Sequence, residues 1–278
     1  EGVLLELLRE PDYERDAVGA LIRLARVQKP EQRFGFNRPD YRTVWEARSK
    51  RQVTGFDEDR RVRYISSIKQ QITTLTEQRL QSGTPDSFNG RLKTLAGALA
   101  RLDARESAAL VMEIMALPGQ WDGYTRADAL EALLFGGAHL EADAALKVLN
   151  PTIDHIIQTG AVHDQNNSFL LQRCLCLLSF LHPASTGIAR VKEIIAAARV
   201  PNHDLRDVVT ALGNSRCDEA LDLLLELAAT HAPGIRHMTG EWINAVAALD
   251  TPRSKRVLLS YVAHDLEPFK GAMNLEYH

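Results

Sequence analysis

Across LRDVVTALGNSRCDEALDLLLELA (205–228) the apolar residues fall twice at helical spacing. Leu205, Val208, Val209 and Leu212 occupy i, i+3, i+4 and i+7, and Cys217, Ala220, Leu221 and Leu224 repeat that spacing. Each half therefore carries one apolar stripe along a helix. Between the halves, Gly213 and Asn214 tolerate the left-handed backbone that ends a helix, and Ser215 with Asp218 three residues on has the spacing of a capping box. The pattern predicts two amphipathic helices joined by a short turn.

The same unit recurs at 92–116, 126–150, 169–198 and 241–262. Marking the inner turns by Asp103, Gly137, Pro183, Asn214 and Asp250 gives intervals of 34, 46, 31 and 36 residues. The long interval holds TGAVHDQNNSF, a loop. Such a period is that of helical-repeat arrays, in which no unit buries its stripe alone and stacking makes a shared core. Asp103 with Glu106 and Thr125 with Asp128 have capping-box spacing, and Asn150-Pro151 and Thr251-Pro252 each put proline just after a candidate cap.

The first 88 residues are patterned differently. Residues 11–28 open another helical unit, whereas 29–64 mix Pro, Gly, aromatics and charge with no sustained stripe, so a long irregular loop is expected near 29–60. Val62, Ile65, Ile68, Ile72, Leu75 and Leu80 predict a longer helix, followed by the linker candidate SGTPDS. The expected organisation is an N-terminal helical region, 1–88, and a repeat region of about five hairpins, 89–278.

Composition narrows the class. Aromatics make up 6% of the chain and short alternating Val/Ile/Thr/Tyr runs are missing, so an all-α fold is predicted. A net charge of −3 supplies no global field for a polyanion. Three cysteines without a CxxC pair suit a reducing compartment, so a cytoplasmic location is expected. No run reaches the roughly 18–20 apolar residues of a membrane span. The chain opens on EGVLLELLRE, inside a helical pattern and without an initiator Met, as expected of a piece of a larger protein.

An apolar helix ending in ALG or AL, a polar turn with Asp, Asn or Pro, then a Leu-rich helix resembles HEAT-type repeats, including the short HEAT-like (PBS-lyase-type, ARM-like) variety, over about residues 89–264. The resemblance implies a right-handed α-solenoid of helical hairpins, an α-α superhelix whose concave face binds partners. It also implies an Arg near the start of the inner helix bracing neighbouring repeats. Arg91, Arg126 and Arg206 match that place; the units opening near Phe169 and Glu241 depart from it. On the inner helices Lys93, Arg126, Glu131, Gln172, Arg173, Asp207, Glu241 and Asn244 alternate in sign, as suits a mixed-charge partner surface.

Candidate chemistry is sparse. His155, His163, His231 and His237 have neither HExxH nor zinc-finger spacing, and Cys174 and Cys176 face different ways on a helix, so no metal is expected. Without a GxSxG elbow or a phosphate loop, no catalytic residue and no cofactor is predicted. The leading expectation is a non-catalytic scaffold for a protein partner or adjoining domain. The alternative is a nucleic-acid-binding or repair protein resembling the HEAT-like alkylpurine DNA glycosylases, with Trp121, Asp122, Tyr124 and Arg126 as its aromatic and charged groups. A basic stretch, Arg42, Arg48, Lys50, Arg51, Arg60, Arg61 and Arg63 with Trp45 and Tyr64 interleaved, offers phosphate contacts. Glu46, Asp57, Glu58 and Asp59 lie in the same window and favour a salt-bridged surface instead.

Overall fold

A computed structural model describes residues 2–27, 41–50, 53–81, 86–117, 121–160, 164–198, 205–230 and 238–263. These form fourteen α-helices, one 3-10 turn and two two-residue strands, so the fold is all-α. The chain makes two compact units, Glu1–Thr152 and Ile153–His278. The composition change near residue 88 lies inside the first.

Unit 1 runs through α1 (Gly2–Leu7), α2 (Glu14–Leu24), the 3-10 turn Tyr41–Thr43, α3 (Val44–Ser49), α4 (Glu58–Gln81), α5 (Asp86–Leu102), α6 (Ala104–Ala116), α7 (Gly123–Phe135), β1 (Leu140–Glu141) and α8 (Ala142–Gln158), within which the division falls. Helix α5 is its axis, packed by α2, α4, α6 and α7. Its residues explain that position: Leu92, Leu95 and Leu99 form one fully buried stripe, while Ala96, Ala98 and Ala100 let helices approach on other sides. On α4, Ile65, Ile68, Ile72 and Leu75 are buried as the stripe predicts, but Val62 and Leu80, at its ends, are exposed. The region expected to be irregular contains helix α3, which packs on α7. The linker candidate gives way to helix at Asp86.

Unit 2 contains α9 (Gln165–Leu178), β2 (Leu181–His182), α10 (Ala184–Ala198), α11 (Leu205–Asn214), α12 (Asp218–Thr230), α13 (Thr239–Leu249) and α14 (Pro252–Val262). The hairpins α9/α10, α11/α12 and α13/α14 follow one another in space. Helix α11 packs between α9 and α13, and α12 packs on both α10 and α14. The α11–α13 seam is the closest. A Cβ built on Gly213 would stand 2.4 Å from Ala245 Cα and 2.5 Å from its carbonyl oxygen, so only glycine fits. Trp242 is fully buried, and its Nε1 donates to the Leu224 carbonyl at 2.9 Å. Burying one such side chain contributes about 1.5–3 kcal/mol.

Several expected caps are realised by other residues. Gly213 sits inside α11, and the left-handed residue of that turn is Arg216, φ 56°. The Ser215 hydroxyl donates back to the Leu212 carbonyl at 2.6 Å, closing α11 instead of capping α12. Asp103 precedes α6 without capping it by its side chain, because its carboxylate is taken by other donors. The α7 cap is Asp122, which accepts from the Thr125 amide and hydroxyl at 2.7 Å each. Asn150 and Pro151 lie within α8. Thr251 does cap α14, with Pro252 at N1 and a reciprocal box to Ser254.

Candidate functional site

Unit 1 gathers its charges around the start of α6. The Asp103 side chain is 5% exposed and accepts from Arg61 Nη1 at 2.9 Å, Lys69 Nζ at 3.0 Å and the buried Ser107 hydroxyl at 2.6 Å. Arg61 also pairs with Glu58 at 2.6 Å, and the Glu58 hydrogen bond leads the influences that hold its guanidinium above the ordinary value. A cavity of about 400 Å³ opens here, lined by Lys50, Glu58, Arg61, Arg101, Asp103, Arg105 and Glu106 among others. Most of its cations are already committed: Lys50 to Glu46 at 2.8 Å, Arg61 to its two carboxylates, and Arg101 to the Gly97 carbonyl at 2.7 Å.

The sequence-predicted residues divide by burial and partner. In unit 1, Lys93 is exposed on α5 and stands 3.5 Å from Asp122. Arg126 Nη1 donates to Thr152 Oγ1 at 3.4 Å. Glu131 is buried and accepts from the Tyr41 hydroxyl at 3.1 Å, so it holds the 3-10 turn and presents no carboxylate to solvent. In unit 2, Gln172 is buried as well, whereas Arg173 and Asp207 are half-buried and Asn244 is exposed. Glu241 pairs with Arg206 at 2.8 Å across the α11–α13 seam. Arg91 donates from Nε and Nη2 to Glu14 on α2 at 2.9 and 2.7 Å. Burial pushes the Glu14 pKa above the usual carboxylate range, and Arg91 offsets this only in part.

Two aromatic residues of the nucleic-acid alternative are not surface platforms: Trp121 is 6% exposed and Tyr64 is buried against Phe56, ring centroids 5.2 Å apart, while Trp45 and Tyr124 are half-buried. Asp122, beside Trp121, is pushed up by burial, but the Thr125 hydrogen bonds and Lys93 outweigh this and hold it below the ordinary range. Arg60 pairs with Asp57 at 3.3 Å, and Arg51 lies outside the described residues. No family model matches the chain, and neither a curated protein nor a solved structure is significantly similar to it.

Cys174 and Cys176 are buried, and burial raises the Cys217 thiol above its ordinary pKa. His155 is exposed; His163, His231 and His237 lie outside the described residues. Among the described residues no group of three or more His, Cys, Asp or Glu is placed to hold a metal ion, and no helix is long and apolar enough to cross a membrane. Sequence reasoning missed the hub at Asp103 and the role of Tyr41. The available signal was an Asp between the apolar helices α5 and α6, with an Arg and a Lys on α4. The partners are 34 and 42 residues away, so helical periodicity does not link them.

Proposed function

We propose that the protein is a helical-repeat scaffold: its hairpins form segments of a right-handed HEAT-like α-solenoid, and it binds a protein partner or neighbouring domain without catalysing a reaction. The observation carrying this reading is the order of packing in unit 2, where first helices α9, α11 and α13 lie in succession and second helices α10, α12 and α14 do likewise. In that two-layer order each described hairpin packs on the hairpins next to it in sequence, the arrangement that leaves an extended face for a partner. The exposed or half-buried Arg173, Asp207 and Asn244 would contribute to it. Glu131 and Gln172 drop out because they are buried.

The test is crosslinking and affinity capture with the full chain and with a double variant, Asp207→Arg with Asn244→Arg. Both substitutions are at positions that are not fully buried, so the fold is expected to survive. Loss of a specific captured protein in the variant supports the reading; an unchanged set of captured proteins counts against it. The nucleic-acid alternative is disfavoured by the ion pairs that occupy Lys50, Arg60 and Arg61. Duplex and single-stranded DNA or RNA at low salt are expected to give no mobility shift.

A further inference from the structure

One arginine of the basic stretch departs from its neighbours. Arg48, in the last turn of α3, is half-buried, and among the described residues its guanidinium has no carboxylate and no hydrogen-bond acceptor. Its Nε is fully buried and unpartnered, and its guanidinium carbon sits 4.3 Å from the centroid of the Trp45 ring. Burial alone pulls its pKa below the ordinary arginine value, with no opposite charge to offset it. A cation removed from water without a counter-charge is costly. A stacked aromatic face recovers only a fraction of that cost.

Arg48 lines a second cavity of about 400 Å³, together with Arg105, Met112, Gly137, His139 and Glu141 among others. Arg105 is held in place from behind: one of its terminal nitrogens donates to the carbonyls of Arg48 at 2.6 Å, Ala47 at 3.2 Å and Lys50 at 3.3 Å, where α3 ends. Gly137 keeps the wall open. Its φ is +83°, and a Cβ there would lie 3.1 Å from Arg105 Nε and 2.6 Å from the Ala47 carbonyl. Glu141 is exposed and makes no ion pair with either arginine. The cavity thus has two guanidinium groups on its lining, one braced by a peptide cage and the other by an aromatic ring, and too little negative charge between them.

We propose that Arg48 and Arg105 form an oxyanion site that takes a phosphomonoester group. Two planar guanidinium forks present more donors than one carboxylate accepts, and a phosphomonoester dianion supplies both the charge and the three terminal oxygens to use them. The group belongs either to a small phosphorylated compound or to a phosphorylated side chain of a protein partner; the site recognises the same chemistry in both. The proposal does not rest on the solenoid reading.

The experiment titrates the full chain with inorganic phosphate, with a phosphoserine peptide and with the same peptide unphosphorylated. The Arg48 Nε–H resonance is followed by NMR and affinity by calorimetry, at ionic strength matched with chloride. A saturable shift of that resonance is expected with phosphate or the phosphopeptide and not with the unmodified peptide. Tighter binding of the phosphopeptide assigns the group to a partner chain; equal or weaker binding assigns it to a small compound. Arg48→Gln is expected to weaken binding by roughly tenfold or more, since a charge-assisted pair is lost. Arg48→Lys retains the charge without the fork and should fall between. Circular dichroism checks the fold of both variants, and the resonance shift of the unaltered chain serves if either fails to fold. An Arg48 resonance that moves no further than in chloride overturns the proposal, as do folded variants that bind like the parent.

Discussion

The α11–α13 seam of unit 2 and the start of α6 in unit 1 solve the same problem by opposite means. At the seam, one glycine admits a neighbouring backbone, one fully buried tryptophan fills the space behind, and the ion pair Arg206–Glu241 lies across the seam with the arginine half exposed. At the start of α6, a nearly buried carboxylate collects two cations and a hydroxyl from within unit 1. Apolar burial offers no charge for salt to screen, whereas a carboxylate hub with its cations does. The comparison teaches where in this chain stability is electrostatic and where it is shape.

Trp242→Ala tests the apolar side most severely. It removes the largest buried side chain of unit 2 and the Nε1 bond to Leu224, so a loss of about 3–5 kcal/mol is expected in urea unfolding, little changed by added salt. Hydrogen exchange should localise the loss to α11 and α13; protection there equal to the parent's would break the comparison. Asp103→Ala tests the other side. It leaves the Ser107 hydroxyl, itself fully buried, without its acceptor and strips Arg61 and Lys69 of one partner each, for a loss of about 2–3 kcal/mol. Arg61 retains Glu58, and Lys69 is 36% exposed, which keeps the figure below that of a sealed ion pair. The parent's advantage over this variant should shrink as salt rises.

Gly213→Ala sharpens the contrast with a smaller change. In an unencumbered helix the substitution gains about 1 kcal/mol through propensity. Here the new methyl meets the Ala245 backbone, which cannot swing away as a side-chain end would, so overpacking at the upper end of about 1–3 kcal/mol reverses the sign, for an expected net loss of up to about 2 kcal/mol in the same unfolding measurement. A stabilised variant would mean that the two helices separate at little cost, and the shape argument would fail.

What the sequence disclosed follows the same line. The hairpins, and the turns at Asp103, Gly137 and Asp250, were legible because apolar periodicity is local and the stripes are long. Gly213 stands out in the sequence, but its place in the fold differs from its pattern. Its spacing signals a turn, whereas its function is close approach to a helix 32 residues further on, measured to Ala245. Among the site residues, the polarity of Glu131 and Gln172 points to the surface, yet both are buried, and Tyr41, which hydrogen-bonds Glu131, stands 90 residues away. Arg48 was visible only as one of a basic run. What separates it from Arg60 and Arg61 is the lack of a carboxylate, and that is a fact of tertiary placement.

The smallest effect concerns pH and sets two carboxylates of unit 1 against each other. Glu14 is 2% exposed, and burial raises its pKa above the unfolded value despite Arg91. The folded chain therefore holds more protons than the unfolded chain in between, so this stability is fully present below the unfolded pKa and is lost as pH rises through the folded one. Asp122 runs the other way: its folded pKa is depressed, so its contribution is present above the unfolded value and lost as pH falls through the folded one. Urea unfolding across the carboxylate range, about pH 3–7, should show Glu14→Gln gaining on the parent as pH rises, because the amide cannot ionise in its buried place. Asp122→Asn should gain on the parent as pH falls, because the stability it lacks is leaving the parent too. Slopes of the same sign in the two variants would mean that Arg91 outweighs burial at Glu14, and that contact would then belong with the favourable ion pairs around Asp103.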